Sequence, residues 1–399
     1  MTVIMEKGIT TSEIIALIEQ DYYPTGKDGS NLFNILADEK CNIVIPDGCK
    51  RIGAAAFKGM PIEGMQLPDS LEYIGESAFE NCGELEEIII PDSVKSIGKE
   101  AFKSCSNLRS IKFPQDLETI EESMCAYCSL LYRVVWPKSV RTIGIEAFYC
   151  CIHMREIDIP PSIRVIKDGA FMSSDLKRIH LPYGLKNIDN DAFSNCYRLS
   201  DVYIPETVEH IGTNPFYNCS EIKKFNGKYA SNNGTCLIDT NGNLISVARG
   251  VTTMDNWTLP NSVCRIGDYA FSLLSDLKSL NLSENIIEIG KGAFWGCEQV
   301  PSIKLPSSIK EIKSFTFSFC NAISHVEIPS SVEIIEKAAF FHCTYLSSIT
   351  LPISLKKVSG NFFIGCFCLK TLYIPAGTRN HFMKILSKGK HKLLVELEK

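Results

Sequence analysis

The sequence predicts a repeat solenoid, a fold in which short strands of successive repeats stack on one another. Proline recurs along the chain from Pro46 to Pro375, and most steps, such as Pro68 to Pro91, are 23 residues long. The columns around that proline each keep one chemical character, with Ile six residues after it and Phe eleven residues after it in most repeats. Self-similarity at a fixed period indicates repeats that bury their apolar faces against one another.

The composition predicts an ordinary folded chain. The 399 residues are 45% hydrophobic and 22% charged, with a formal net charge of −5. This apolar share favours a folded core over disorder. No apolar run approaches the roughly 18–20 residues that cross a bilayer, so we expect no membrane insertion. The acidic balance gives no electrostatic reason to expect nucleic-acid binding.

Each element of the repeat follows from its columns. Apolar residues one and three positions before the proline, such as Ile90 and Ile88, predict a short alternating strand. Proline has no N–H to donate to a sheet and therefore suits the end of that strand. A second extended stretch follows, for example at residues 94–97. The Ala-Phe step after it, such as Ala101-Phe102, then predicts a short helical or irregular segment.

The cysteines belong to the repeat. There are 17 of them, and an odd number cannot pair completely within one chain. Ten occupy the position fourteen residues after the proline, which predicts a column of small buried hydrophobic side chains rather than a disulfide framework. Free thiols favour a reducing, intracellular setting. The column contains Cys82, Cys105, Cys128, Cys151, Cys196, Cys219, Cys297, Cys320, Cys343 and Cys366.

One repeat shows the whole motif. From Leu85 to Cys105 the chain reads LEEIIIPDSVKSIGKEAFKSC. This stretch resembles the 23-residue repeat of the BspA-like leucine-rich repeat family, whose signature is close to LxxIxLPxSLxxIGxxAFxxC. The resemblance covers residues 41 to 375. It implies a right-handed curved array with a parallel β-sheet on the concave face and short helical or irregular segments elsewhere.

Four local departures from the motif are visible. Met124-Cys125 replaces Ala-Phe, Ser174 and Leu274 replace the column cysteine, and Ser283 replaces the proline. The step from Pro205 to Pro260 is also too long for one repeat. It contains two short apolar runs around the turn signal Asp239-Thr-Asn-Gly-Asn, which predict a β-hairpin insertion.

These features predict five segments. Residues 1–40 form an N-terminal cap, whose Thr11–Ile18 segment has the pattern of a short capped helix. Residues 41–219 form a first repeat array, 220–255 the hairpin insertion, 256–375 a second array and 376–399 a C-terminal cap. The hairpin either continues the solenoid with altered spacing or divides it into two sub-arrays, or else it protrudes as a recognition loop. The tail either caps the core or offers its basic residues to an acidic partner.

The search for catalytic chemistry predicts a protein that is not an enzyme, with no cofactor and no metal. Cys125-Ala-Tyr-Cys128 has the C-x-x-C spacing of redox or zinc sites. Cys128, however, belongs to the cysteine column, and Cys125 stands where other repeats have phenylalanine. A second pair at ligand spacing is missing from the sequence. No nucleophile–base or carboxylate pair stands out from the repeat.

A candidate partner-binding site lies on the predicted concave face. Four residues before the proline, charges of alternating sign occupy adjacent repeats. One interpretation is a surface ladder whose neighbours satisfy one another, each pair contributing roughly 0.2–1 kcal/mol. The other joins the ladder to nearby His and Tyr side chains in a polar-aromatic patch typical of interfaces. The candidate residues are Arg133, Glu156, Arg178, His180, Tyr183, Asp201 and Tyr203.

The function predicted from these observations is protein binding. The resemblance implies an adhesin or interaction scaffold that binds a protein, such as a host or matrix protein, through the concave face and the insertion. It also implies a cell-surface or secreted location. The N-terminal residues show no signal peptide, which favours the cytoplasm instead. The alternative is therefore an intracellular structural or regulatory scaffold with no surface role.

Overall fold

The computed structural model describes residues 10–22, 41–250, 258–359 and 361–398. The chain forms two compact units, Met1–Glu221 and Ile222–Lys399, called here the N-terminal and C-terminal units. Each unit is a parallel-strand solenoid, which confirms the predicted fold class. Most repeats contribute a strand before the proline, in the front row, and a shorter strand after it, in the side row.

Most front-row strands of the N-terminal unit have a buried central residue and flanking residues that are turned outward, while Met65 and Val134, each at the centre of its strand, are half-buried. In Glu87–Ile89, Glu156–Asp158 and Arg178–His180, the middle residue is buried and its two neighbours are exposed. Pairing is parallel and advances by one repeat, so that Ile88 lies beside Ile111. The strands are β1 (Asn42–Val44), β3 (Gly64–Gln66), β5 (Glu87–Ile89), β7 (Ser110–Lys112), β9 (Arg133–Val135), β11 (Glu156–Asp158), β13 (Arg178–His180) and β15 (Asp201–Ile204).

The side row contains strands of two residues. Their second residue is the Ile of the repeat column, and it is buried in all but the last of them. Pairing is again parallel, with Ile74 beside Ile97. The strands are β2 (Arg51–Ile52), β4 (Tyr73–Ile74), β6 (Ser96–Ile97), β8 (Thr119–Ile120), β10 (Thr142–Ile143), β12 (Val165–Ile166), β14 (Asn187–Ile188) and β16 (His210–Ile211).

The Ala-Phe segment is irregular rather than helical. Two residues in most of these turns have positive φ, for example Ser77 at 54° and Asn81 at 61°. A right-handed helix cannot continue through such residues. The positive-φ residues and the phenylalanine between them donate to the next repeat instead, as Ser77 N does to Lys99 O at 2.9 Å and Phe79 N to Ala101 O at 2.8 Å. The turns therefore form a third line of hydrogen bonds between repeats.

The Phe column forms the centre of the core. Phe148, Phe171 and Phe193 are completely buried. Their rings are nearly parallel, and successive centroids lie 5.4 and 5.5 Å apart. Cys125 interrupts this stack, and Phe148 there meets Trp136 edge to face, with ring centroids 5.5 Å apart.

The cysteine column has a second role besides filling space. Burial of the column is confirmed, with Cys366 as the half-buried exception. Each thiol also donates to a backbone carbonyl of the preceding repeat, as Cys105 Sγ does to Phe79 O at 3.1 Å. Ser174 Oγ makes the same bond to Phe148 O at 2.8 Å. The ten thiol donors are Cys82, Cys105, Cys128, Cys151, Cys196, Cys219, Cys297, Cys320, Cys343 and Cys366.

Buried thiols make the stability sensitive to alkaline pH. Burial raises the pKa of Cys82 and Cys297 from an ordinary value of 9.0 to about 12. The folded state therefore keeps protons that the unfolded state loses. This contribution to stability is fully present below pH 9.0 and is lost as pH rises toward about 12.

We expect the urea concentration at the midpoint of unfolding to decrease when the pH is raised from 8 to 10.5. Urea titrations followed by circular dichroism at the two pH values measure this change.

The same burial predicts that thiol reagents modify the nine buried column cysteines rapidly only after unfolding. Thiol labelling at pH 8, with and without denaturant, measures this effect. Rapid labelling of the folded protein at the column positions would contradict the burial of these thiols.

An α-helix covers the first repeat of the N-terminal unit. Helix α1 (Thr11–Ile18) has Thr10 as its N-cap, which exchanges hydrogen bonds with Glu13 in a capping box. Ile14 and Ile18 are completely buried. Gly53 N donates to Ile18 O at 2.9 Å, which joins the helix to the repeat. The rest of the predicted N-terminal cap, residues 1–9 and 23–40, lies outside the described residues.

The C-terminal unit has the same two rows. The strands that pair within it run parallel, apart from those of one hairpin. The front row contains β17 (Lys224–Gly227), β23 (His325–Glu327), β25 (Ser348–Thr350), β27 (Thr371–Ile374) and β28 (Leu394–Glu396). The side row contains β19 (Asn243–Val247), β20 (Arg265–Ile266), β21 (Glu288–Ile289), β22 (Glu311–Ile312), β24 (Ile334–Ile335) and β26 (Lys357–Val358).

The predicted hairpin is present, and its second strand belongs to the side row. Strand β18 (Cys236–Ile238) pairs antiparallel with β19. Asp239 Oδ1 accepts from the backbone N–H groups of Asn241 and Asn243, both at 2.8 Å, which closes the turn. Strand β19 then pairs parallel with β20, with Leu244 beside Ile266. The hairpin is therefore joined to the side row of the C-terminal unit through its second strand. Residues 251–255 of the predicted insertion lie outside the described residues.

Two predicted front-row strands are absent from the C-terminal unit. Residues 279–282 and 302–305 are described but form no strand. Leu280, Ile303 and Leu305 are nevertheless buried, so the apolar pattern correctly predicted burial. Pro301 supplies a reason at the second site, because it lacks the N–H that the equivalent Arg109 donates to the preceding repeat.

The C-terminal segment covers the last repeat. Helix α2 (Arg379–Ile385) places Phe382 in a completely buried position, and a 3₁₀ helix (Lys388–Leu393) follows it. Strand β28 then pairs parallel with β27. Lys390 Nζ lies 4.1 Å from the centroid of the Phe363 ring, so one of the tail's basic residues is used within the unit.

Candidate protein-binding face

The seven candidate residues lie in the front row of the N-terminal unit or directly after it. Parallel pairing places Glu156 beside Arg178 and Arg178 beside Asp201. Arg133 is set apart from this group, because β9 pairs with β7, and no ladder among the described strands joins β9 to β11. The structure therefore brings together three of the four predicted charges, with Arg133 beside Ser110 instead.

The aromatic part of the candidate site is open to solvent. Tyr183 is 79% exposed and Tyr203 is 55% exposed. Tyr203 follows Asp201 by two residues, as His180 follows Arg178 on the paired strand. Tyrosine side chains in this setting offer a large apolar contact area together with a hydroxyl group.

The charges at this site are weakly paired. Arg178 Nη2 lies 3.9 Å from Glu156 Oε1, and His180 Nδ1 lies 4.0 Å from Asp158 Oδ1. Within the described ranges, neither Arg133 nor Asp201 forms an ion pair. Exposed pairs of this kind contribute roughly 0–1 kcal/mol. A partner can therefore engage these side chains without first breaking strong internal contacts.

Sequence reasoning missed a groove along the N-terminal edge of these strands, which we call the edge groove. Its volume is about 570 Å³. All of its lining residues except Glu156 stand five or seven residues before the proline of their repeat, and the basic residues in those two rows could have indicated the groove. The groove is lined by Tyr132, His153, Arg155, Glu156, Lys177 and Arg198.

Two further clefts carry different chemistry. One of about 1160 Å³ lies at the first front-row strands, where Val44 and Ile89 are exposed near Glu63 and Glu87. Another, of about 600 Å³, lies beside the hairpin of the C-terminal unit and includes Tyr229 in its lining. Its other lining residues are mostly small or polar.

The described residues offer neither a metal-binding cluster nor a membrane span. Across residues 10–22, 41–250, 258–359 and 361–398, no group of three or more His, Cys, Asp or Glu side chains could hold a metal ion. No helix within these ranges has both the length and the apolar character needed to cross a bilayer.

The chain is similar to known repeat proteins. Residues 30–135, 130–233 and 249–370 match the BspA type leucine rich repeat region. A leucine rich cell surface protein from Faecalibacterium prausnitzii is 24% identical, with 88% of this chain and 91% of that chain covered and a TM-score of 0.62. A leucine-rich repeat protein from Bacteroides ovatus is 26% identical, with coverages of 82% and 88% and a TM-score of 0.52. None of the curated proteins matches the chain.

Proposed function

Because the chain belongs to the BspA-type leucine-rich repeat family, we propose that it is a non-enzymatic module that holds a protein partner on the front row of its N-terminal unit. Proteins of this family are typically interaction or adhesin-like scaffolds. The observation that carries the proposal is the cluster of exposed His180, Tyr183 and Tyr203 beside the weakly paired Arg178. Tyr and Arg are enriched among the residues that dominate binding energy at interfaces.

The hairpin of the C-terminal unit is proposed as a second contact surface. Asp239 and Asn233 use their side-chain oxygens to hold their own turns. These turns fix the walls of the adjoining cleft, and a preorganised surface loses less entropy on binding. The proposal for the hairpin is independent of the front-row patch.

For location, we propose display at the cell surface. The similarity to a leucine rich cell surface protein supports it. The alternative, an intracellular scaffold, is supported by the 17 free cysteines, since reduced thiols suit a reducing compartment. Labelling intact cells with an impermeant reagent distinguishes the two. Recovery of the labelled protein supports display, and labelling only after lysis supports the scaffold.

We expect Tyr203→Ala to weaken partner binding by at least about tenfold, because the exposed ring would be a main contact. His180→Ala and Arg178→Ala should have smaller effects of the same sign. The partner is first isolated by affinity capture on the wild-type chain and then titrated against each variant. Tyr345→Ala, at a residue 66% exposed in the C-terminal unit, is the control. Unchanged affinity in all three patch variants would remove the patch from the proposal.

A further inference from the structure

We propose that the edge groove of the N-terminal unit binds an acidic, extended segment of the partner polypeptide. This inference rests on the proposed function and adds the chemistry of the partner to it. The lining contains Arg155, Lys177 and Arg198, and Glu156 is its one carboxylate. Basic side chains thus dominate a concave surface on a chain whose overall charge is negative.

The positive charge of the groove is only partly neutralised within the unit. Asp175 Oδ2 lies 3.7 Å from Arg155 Nε and 3.3 Å from Arg198 Nη1, so two guanidinium groups share one carboxylate. Lys177 is exposed and forms no ion pair with any described residue. A ligand carboxylate placed in the groove would pair with the Lys177 ammonium group and with the two guanidinium groups that Asp175 neutralises only in part.

The border of the groove carries two further arginines and one aspartate, Asp201, which lies beside Arg178. Arg178 lies on β13, next to Lys177 in sequence, and its contact with Glu156 is 3.9 Å long. Arg133 lies on β9, next to Tyr132, and has no ion-pair partner in the described part of the chain. Both side chains are exposed, and long-range attraction from such groups accelerates the approach of an oppositely charged segment.

The residues that line the groove favour an acidic polypeptide over a polyanion of higher charge density. Tyr132 is 57% exposed and offers a ring for an apolar side chain between two acidic ones. Glu156 would repel a chain that carries a charge on every unit, such as a sulfated polysaccharide or a nucleic acid. A volume of about 570 Å³ holds a few side chains and is too small for a duplex.

The test uses the full chain and a fluorescein-labelled peptide of alternating Glu and Ser, followed by fluorescence anisotropy. We expect the peptide to bind, and the double variant Arg155→Glu/Lys177→Glu to weaken its affinity at least about tenfold. The matched control is Lys138→Glu/Arg141→Glu, which makes the same charge change at exposed residues outside the groove. A peptide of alternating Lys and Ser should not bind.

Several outcomes would overturn the inference. They are an absence of binding to the acidic peptide, an equal loss in both double variants, or tighter binding of heparin or single-stranded DNA that the groove variant abolishes. The captured partner separates this inference from the proposed function. If Tyr203→Ala still weakens binding of that partner while the acidic peptide fails to bind, the proposed function stands and the acidic-segment inference is wrong.

Discussion

Replacing Phe171 with alanine is expected to lower the free energy of unfolding of the N-terminal unit by about 3–5 kcal/mol. Phe171 is completely buried, and its ring stacks between Phe148 and Phe193 at centroid distances of 5.4 and 5.5 Å. Truncation removes both ring contacts and leaves a cavity that the flanking repeats cannot fill, because their own rings are fixed in the same column.

Urea unfolding followed by circular dichroism measures this loss. Phe171→Leu keeps most of the volume and should cost less than about 1.5 kcal/mol. Tyr183→Ala, at a residue 79% exposed in the same unit, is the control and should change stability by less than about 0.5 kcal/mol. A loss below about 1 kcal/mol for Phe171→Ala would contradict the central place of the Phe column.

The second large effect is expected where the Phe stack is interrupted. Trp136→Ala should cost about 2–4 kcal/mol, somewhat less than a fully buried ring, because Trp136 is half-buried. Its ring meets Phe148 edge to face at 5.5 Å and replaces the contact that a phenylalanine at position 125 would make. The large Trp136 side chain thus compensates for the ring that is missing from the Phe column at Cys125.

A double-mutant cycle tests this compensation. Cys125→Phe alone should cost about 1–3 kcal/mol, since the added ring meets a site that Trp136 already fills. Cys125→Phe combined with Trp136→Leu should recover part of that loss and yield a favourable coupling energy. The same urea titrations give all four free energies. Additive losses would show that the two positions pack independently.

The core of the fold was predictable from the sequence because the repeat period alone shows which columns are apolar. Phe102, Ile97 and Cys105 are all buried as expected. The period did not show that the thiols are hydrogen-bond donors. Ser174 was the available signal, because the property that serine shares with cysteine is an X–H group, not hydrophobicity.

Other parts of the fold depended on single residues within a repeat. The columns around Ile303 and Leu305 predicted a strand, yet these residues are buried without one, and Pro301 removes a ladder donor there. The hairpin turn around Asp239 was predictable because Asx-turn chemistry is local. Its parallel pairing with β20 required knowledge of contacts between repeats.

The candidate face was predictable in outline. The rows before the proline correctly placed Tyr203 and His180 at the surface, since alternate residues of a strand face opposite sides. The edge groove could not be read from one row. It forms where side chains from several rows converge, and the sharing of Asp175 by two arginines depends on their rotamers.

The hydrogen bonds of each unit run between consecutive repeats on the front row, on the side row and in the Ala-Phe turns. No repeat in such an arrangement depends on a distant one. A unit pulled lengthwise would therefore peel from its ends, one coil after another, and lengthen in steps instead of rupturing at once. Each unit would then respond to force as an extensible element, because every broken coil releases the length of one repeat.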